Sequence, residues 1–165
     1  MSEKSRQFSA DELRDAVRAA IEDRAIWFYL LLKELNGGAK IQDQDFASQA
    51  IFRFGQIKGE AMKSAKTPVE WAEKLITPVG RLAFEQKLVE KGEDRAVLEF
   101  SYCPLVQAWR KLGATPDEVA SLCRMARCGD HGRISPFDLD LRFEKLLAEG
   151  DDRCRLVVAP KANSS

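Results

Sequence analysis

The chain has 165 residues, about one domain's worth, and its 26 Lys and Arg balance 26 Asp and Glu. Zero net charge gives no long-range field toward nucleic acid or an anionic bilayer, and the longest apolar run, Ala25 to Leu32 between Arg24 and Lys33, is far short of the ~20 residues of a membrane span. The N-terminal stretch from Met1 to Arg14 is charged and lacks the apolar core of an export signal, so a reducing cytoplasm is expected, with Cys103, Cys123, Cys128 and Cys154 as thiols or ligands rather than disulfides.

Ser9-Ala10-Asp11-Glu12 has the spacing of a capping box. Behind it Leu13, Val17, Ile21, Phe28, Leu31, Leu32 and Leu35 recur at helical spacing until Asn36-Gly37-Gly38. A second helix starts near Asp43 to Asp45 and carries Phe46, Ala50, Ile51, Phe54, Ile57 and Met62, with Gly55 leaving room for close packing. Across the short glycine loop the two are expected to pair as an antiparallel helical hairpin, and their long apolar faces could support a homodimer. Thr67-Pro68-Val69-Glu70 starts a third, short helix through Leu75.

Beyond Pro78-Val79-Gly80 the texture changes. Leu82 to Glu90 and Arg95 to Tyr102 read as the strands of a β-hairpin, the second alternating Ala96, Leu98 and Phe100 against Val97, Glu99 and Ser101. Pro104 to Leu112 returns to a helical period that Gly113 ends. Thr115-Pro116-Asp117-Glu118 opens a further helix, which the loop from Cys128 to Arg133 is expected to close. A second hairpin, Asp138 to Leu147 and Arg153 to Val158, precedes a polar tail from Pro160. The fold expected is α+β in a single domain: helices over 9–76, then a β-β-α-α-β-β unit over 80–159 with a four-stranded antiparallel sheet.

Cys103 ends a strand and precedes Pro104, which places it at the N-cap of the following helix. Amides and the positive end of the dipole there favour a thiolate, a nucleophile or metal ligand; the alternative is a small apolar residue filling a corner. Cys154 alternates with Leu156 and Val158 and should face the apolar side of the sheet, and Cys123 shares a helix face with Val119 and Leu122. Cys123 and Cys128 are spaced at the loose end of zinc motifs, and no CxxC occurs, so spacing signals no metal. His131, beside Asp130, reads as a solvated loop residue, with a general base or ligand as the alternative.

The stretch from about Arg95 to Val158 resembles the L-2-amino-thiazoline-4-carboxylic acid hydrolase family. The resemblance rests on Cys103-Pro104 after a strand, the Lys111-Leu112-Gly113 helix end, Cys123, Gly129-Asp130, and the run from Leu147 through Asp151-Asp152-Arg153-Cys154 to Val157. Arg24 and Phe52-Arg53-Phe54-Gly55 are compatible with it. It implies hydrolytic opening of a small cyclic amidine-like ring, at a non-peptide C–N bond, yielding N-carbamoylcysteine in bacterial cysteine formation. On that reading Cys103, Asp130 and Cys154 are catalytic, and Cys123, Arg153 and Arg155 hold a small-molecule substrate, each arginine suited to a carboxylate. A more distant likeness to vinyl-reductase-type domains implies the alternative, a non-catalytic small-molecule- or metal-binding domain.

Overall fold

The computed structural model describes residues 7–162. Among these residues four helices precede two strands, two helices and two strands: α1 (Ala10–Leu35), α2 (Asp45–Glu60), α3 (Pro68–Leu75), α4 (Pro78–Phe84), β1 (Gln86–Lys91), β2 (Ala96–Phe100), α5 (Pro104–Lys111), α6 (Pro116–Ile134), β3 (Leu139–Lys145) and β4 (Cys154–Pro160), with a 3-10 turn at Leu147–Glu149. The capping box of α1 forms, with Ser9 Oγ accepting from the Glu12 amide and Glu12 Oε2 from the Ser9 amide. Thr115 and Glu118 repeat it at α6.

The strands form one antiparallel sheet in the order β1-β2-β4-β3. Its helix-covered face carries Ala96, Leu98, Leu141, Cys154, Leu156 and Val158, which pack under Trp71, Ala72 and Leu75 of α3. The opposite face buries Val97 and Val157 and carries charge at the Glu99–Arg155 pair across β2 and β4. A second core gathers α1, α5 and α6 around Trp109, whose indole donates to the Ala25 carbonyl at 3.0 Å. Cys123 touches both cores.

Five local expectations are corrected. The N-terminal helices follow one another across Gly37 and Gly38, both at positive φ, but they do not pair mainly with each other: α1 lies on α5 and α2 on α6. The buried side of α1 is Ala25, Tyr29 and Leu32, while Leu31 and Leu35 stay 66% and 60% exposed. On α2 the buried side is Ala47, Gly55 and Gly59 rather than Phe46, Phe54 and Ile57, which are exposed. Small residues win there because a Cβ on Gly55 would collide with the backbone of Gly129 and Arg133, so the two helix backbones touch.

The same contact explains why Cys128 to Arg133 is not a loop. Gly129 and Gly132 sit inside α6, and a Cβ on Gly132 would meet the Phe52 carbonyl of α2. Interior glycine costs a helix about 0.5–1 kcal/mol relative to Ala, which close packing here offsets. Likewise Leu82 to Phe84 are helical, because Thr77 caps α4 by accepting from the Gly80 amide at 2.9 Å, with Pro78 at its first position.

Candidate active site

Three elements meet at the junction of the two cores. The end of β2 delivers Cys103 to the N-cap of α5, β4 begins with Cys154 on the covered face, and α6 contributes Cys123 and, two turns later, Asp130. These groups are close enough to act on one another: Cys103 is raised by Cys154 and Asp130, Cys123 by Cys103 and Cys154, and Cys154 by Asp130. The Leu147 amide, at the 3-10 turn, donates to Cys154 Sγ at 3.4 Å.

Burial dominates their ionisation. It pushes the Cys103 thiol up to about 11, against the amides of Val106 and Leu105 that pull the other way. The expectation of a thiolate at the helix terminus is therefore reversed: the dipole is present, but desolvation outweighs it. Burial pushes Cys123 to about 12 and raises Cys154 as well. Asp130 is also raised by burial, against Arg133, His131 and Arg127. The cluster resists accumulating negative charge, and a proton held by one member is felt by the rest.

Asp130 is half-buried and lines a cavity of about 670 Å³. The cavity lies in the gap left because α1 and α2 pack on different partners: Arg24 and Phe28 come from α1, and Phe54 and Lys58 from α2. Phe84, Phe100, Leu105 and Trp109 form much of its apolar wall. Two polar groups on that wall are unsatisfied among the described residues: Gln86, only 9% exposed, has Oε1 without a partner, and so does Arg133 Nε. Gly80 sits against the Gln86 carbonyl, where a Cβ would displace it.

Of the sequence candidates, Cys103, Cys123, Cys154 and Asp130 are gathered at the junction of the two cores, with Asp130 alone on the cavity wall, and Arg153 and Arg155 are not. Both arginines bond Glu99 on the charged face of the sheet, at 2.8 and 2.5 Å, and Arg155 also bonds Glu144 at 3.1 Å. Strand alternation places them on the side away from Cys154, which removes them as partners of a substrate in this cavity. His131 is exposed on α6 with its ring edge-on to Phe143, and Cys128 bonds the Arg124 carbonyl one turn back. Among the described residues no group of three or more His, Cys, Asp or Glu is arranged to hold a metal ion.

The residues that sequence reasoning left without a role are Arg24, Lys58, Arg133 and Gln86. Arg24 and Lys58 each interrupt an apolar helical pattern, at the edge of Ala25 to Leu32 and directly after Ile57. That interruption is their one sequence signal.

A family model described as L-2-amino-thiazoline-4-carboxylic acid hydrolase matches residues 18–158. No curated protein matches the chain. Among solved structures, trafficking protein particle complex subunit 3 from Naegleria fowleri, covalently bound to palmitic acid, aligns with a TM-score of 0.51 at 12% identity, over 86% of this chain and 95% of that one. That likeness is one of fold, helices with an antiparallel sheet. No helix among the described residues is long and apolar enough to cross a membrane.

Proposed function

The chain belongs to the L-2-amino-thiazoline-4-carboxylic acid hydrolase family, and from that premise we propose that it opens a small cyclic amidine-like ring by addition of water, with Cys103 and Asp130 as the reacting groups. The observation that supports this reading is their mutual proximity beside the cavity, a thiol and a carboxyl group whose proton affinities are both raised by burial. Because Cys103 rests as a thiol, its attack needs a base, and Asp130 is the carboxylate at hand.

The substrate of this step is an aminothiazoline carboxylate. Asp130 takes the Cys103 proton as sulfur attacks the amidine carbon; the ring C–S bond breaks, and the departing sulfur takes that proton from Asp130. Water then adds across the remaining C=N bond. Collapse of the tetrahedral carbon releases Cys103 as thiol and leaves the carbonyl of N-carbamoylcysteine. The water thus adds at the C–N unit while the bond lost from the ring is C–S. The Leu105 and Val106 amides, which already act on Cys103, favour negative charge at this position. Incubation with L-2-aminothiazoline-4-carboxylate should give a product heavier by one water, and Cys103→Ser should abolish it with the fold retained. Full turnover by that variant removes Cys103 from the mechanism.

A second reading, a binding domain without turnover, is favoured by one observation: burial keeps Cys103 protonated at neutral pH. The solved trafficking subunit of similar fold, which carries palmitic acid covalently, is compatible with a ligand-holding role for such a scaffold. Saturable binding with no product under any condition would select it.

A further inference from the structure

The cavity has room beyond what a bare aminothiazoline ring fills. At the ~30 Å³ that a water occupies in the liquid, a substrate of about nine heavy atoms fills at most about 270 Å³. The cavity measures about 670 Å³, in the range that holds drug-sized ligands. Its remaining space is not polar: Phe28, Phe84, Phe100, Leu105 and Trp109 face it. Water confined against such walls lacks partners, so an apolar ligand body is favoured there.

Three of the four charged residues on the wall are cationic, and the fourth, Asp130, feels Arg133. Arg24, Lys58 and Arg133 line the cavity, and none of them forms an ion pair or hydrogen bond among the described residues; Lys58 does lie 5.5 Å from the Phe54 ring centroid. Arg133 Nε is wholly buried and unpartnered. Asp130 is the one acidic residue of the lining. Arg24 and Lys58 are exposed and keep their water, whereas the buried Arg133 Nε lacks a partner, so an anionic group that reaches it gains a hydrogen bond and the attraction of all three cations.

Resting on the hydrolase reading of this site, we infer that its ligand is an amphipathic carboxylate, an acid bearing an aryl or alkyl body larger than the aminothiazoline ring, held by Arg24, Lys58 and Arg133 with its body against the aromatic wall. The acid group sits toward the exposed α1 and α2 side, where Arg24 and Lys58 are, and the body extends toward Trp109.

Titration calorimetry on the full-length protein with phenylacetate, phenylbutanoate and phenylhexanoate tests this, with phenylbutanol as the uncharged counterpart. Affinity should rise about fourfold per added methylene until the cavity is filled. Phenylbutanoate should bind at least about tenfold more tightly than phenylbutanol. Lys58→Gln and Arg133→Gln should each erode that difference while leaving the alcohol's affinity unchanged; Lys58 is exposed, so its variant keeps the test valid if Arg133→Gln fails to fold. Equal affinity for acid and alcohol, no dependence on chain length, or no binding of any acid overturns the inference. Turnover of L-2-aminothiazoline-4-carboxylate on the same preparation separates the two readings: turnover without acid binding leaves the hydrolase standing and sinks the larger substrate class, and acid binding without turnover does the reverse.

Discussion

At Cys103 two opposing effects act on one sulfur atom. The N-cap position aims the amides of Leu105 and Val106 toward it, while packing against the Trp109 core strips its water, and the result is a thiol near 11. Iodoacetamide labelling of Cys103, followed by mass spectrometry, should therefore be slow at neutral pH and accelerate about tenfold per pH unit up to about pH 10. A rate that levels off below pH 8 would mean that the dipole dominates. The position of Cys103 was legible from Cys-Pro after an alternating strand, but its ionisation was not, since burial depends on what other segments bring. Arg153 and Arg155 illustrate a related gap. Alternation with Cys154 places them on the far face, and that part was readable; their capture by Glu99 required the register of β2 against β4.

Between elements, the α2–α6 contact is the most demanding. A methyl group on Gly132 meets the Phe52 carbonyl, backbone against side chain, with no flexible atom to yield. Gly132→Ala should lower stability by about 1–3 kcal/mol in denaturant unfolding. Were this segment a surface loop, the change would be neutral. The sequence showed Gly55 as a packing glycine but made Gly129 and Gly132 look like loop residues, because helix propensity cannot anticipate a facing backbone. A second joint ties α1, the following loop and α6 through Glu118, 3% exposed, which accepts from Lys33 Nζ at 2.6 Å, the Ile41 amide at 3.0 Å and the Thr115 amide at 3.0 Å. Burial alone would raise this carboxyl, yet those donors outweigh it and hold the pKa at about 2. A depressed carboxyl stabilises the fold above its ordinary pKa near 4.5 and loses that contribution as pH falls toward 2. The effect is on the order of 2 kcal/mol. Acid unfolding of Glu118→Gln should lack this component, so that wild type and variant converge below about pH 2–3; curves that stay parallel from pH 7 to 3 would contradict it.

For the molecule as a whole, the α+β class and the four-stranded sheet follow from local signals, since α1, α3, α4 and α6 each start on a capping side chain and the strands alternate. The cavity does not follow from them. It exists because α1 and α2, adjacent in sequence, choose α5 and α6 as partners and leave Arg24, Phe28, Phe54 and Lys58 facing a gap. Reading the N-terminal helices as a mutually packed hairpin would have closed that gap, which is why the cationic wall went unseen while Cys103, Cys123, Asp130 and Cys154 were each singled out. The two halves of the chain thus meet at one place: the C-terminal unit supplies the thiols and the carboxyl, and the N-terminal helices supply much of the chamber beside them.

The most direct test of this account is the yield of N-carbamoylcysteine from L-2-aminothiazoline-4-carboxylate, measured by mass spectrometry for the wild type and for Asp130→Asn at equal concentration of folded protein. A base that takes the Cys103 proton contributes about 10²–10⁴-fold, so the variant should lose at least about a hundredfold in rate. Wild-type turnover that Asp130→Asn matches would contradict the pairing of thiol and carboxylate on which the mechanism rests.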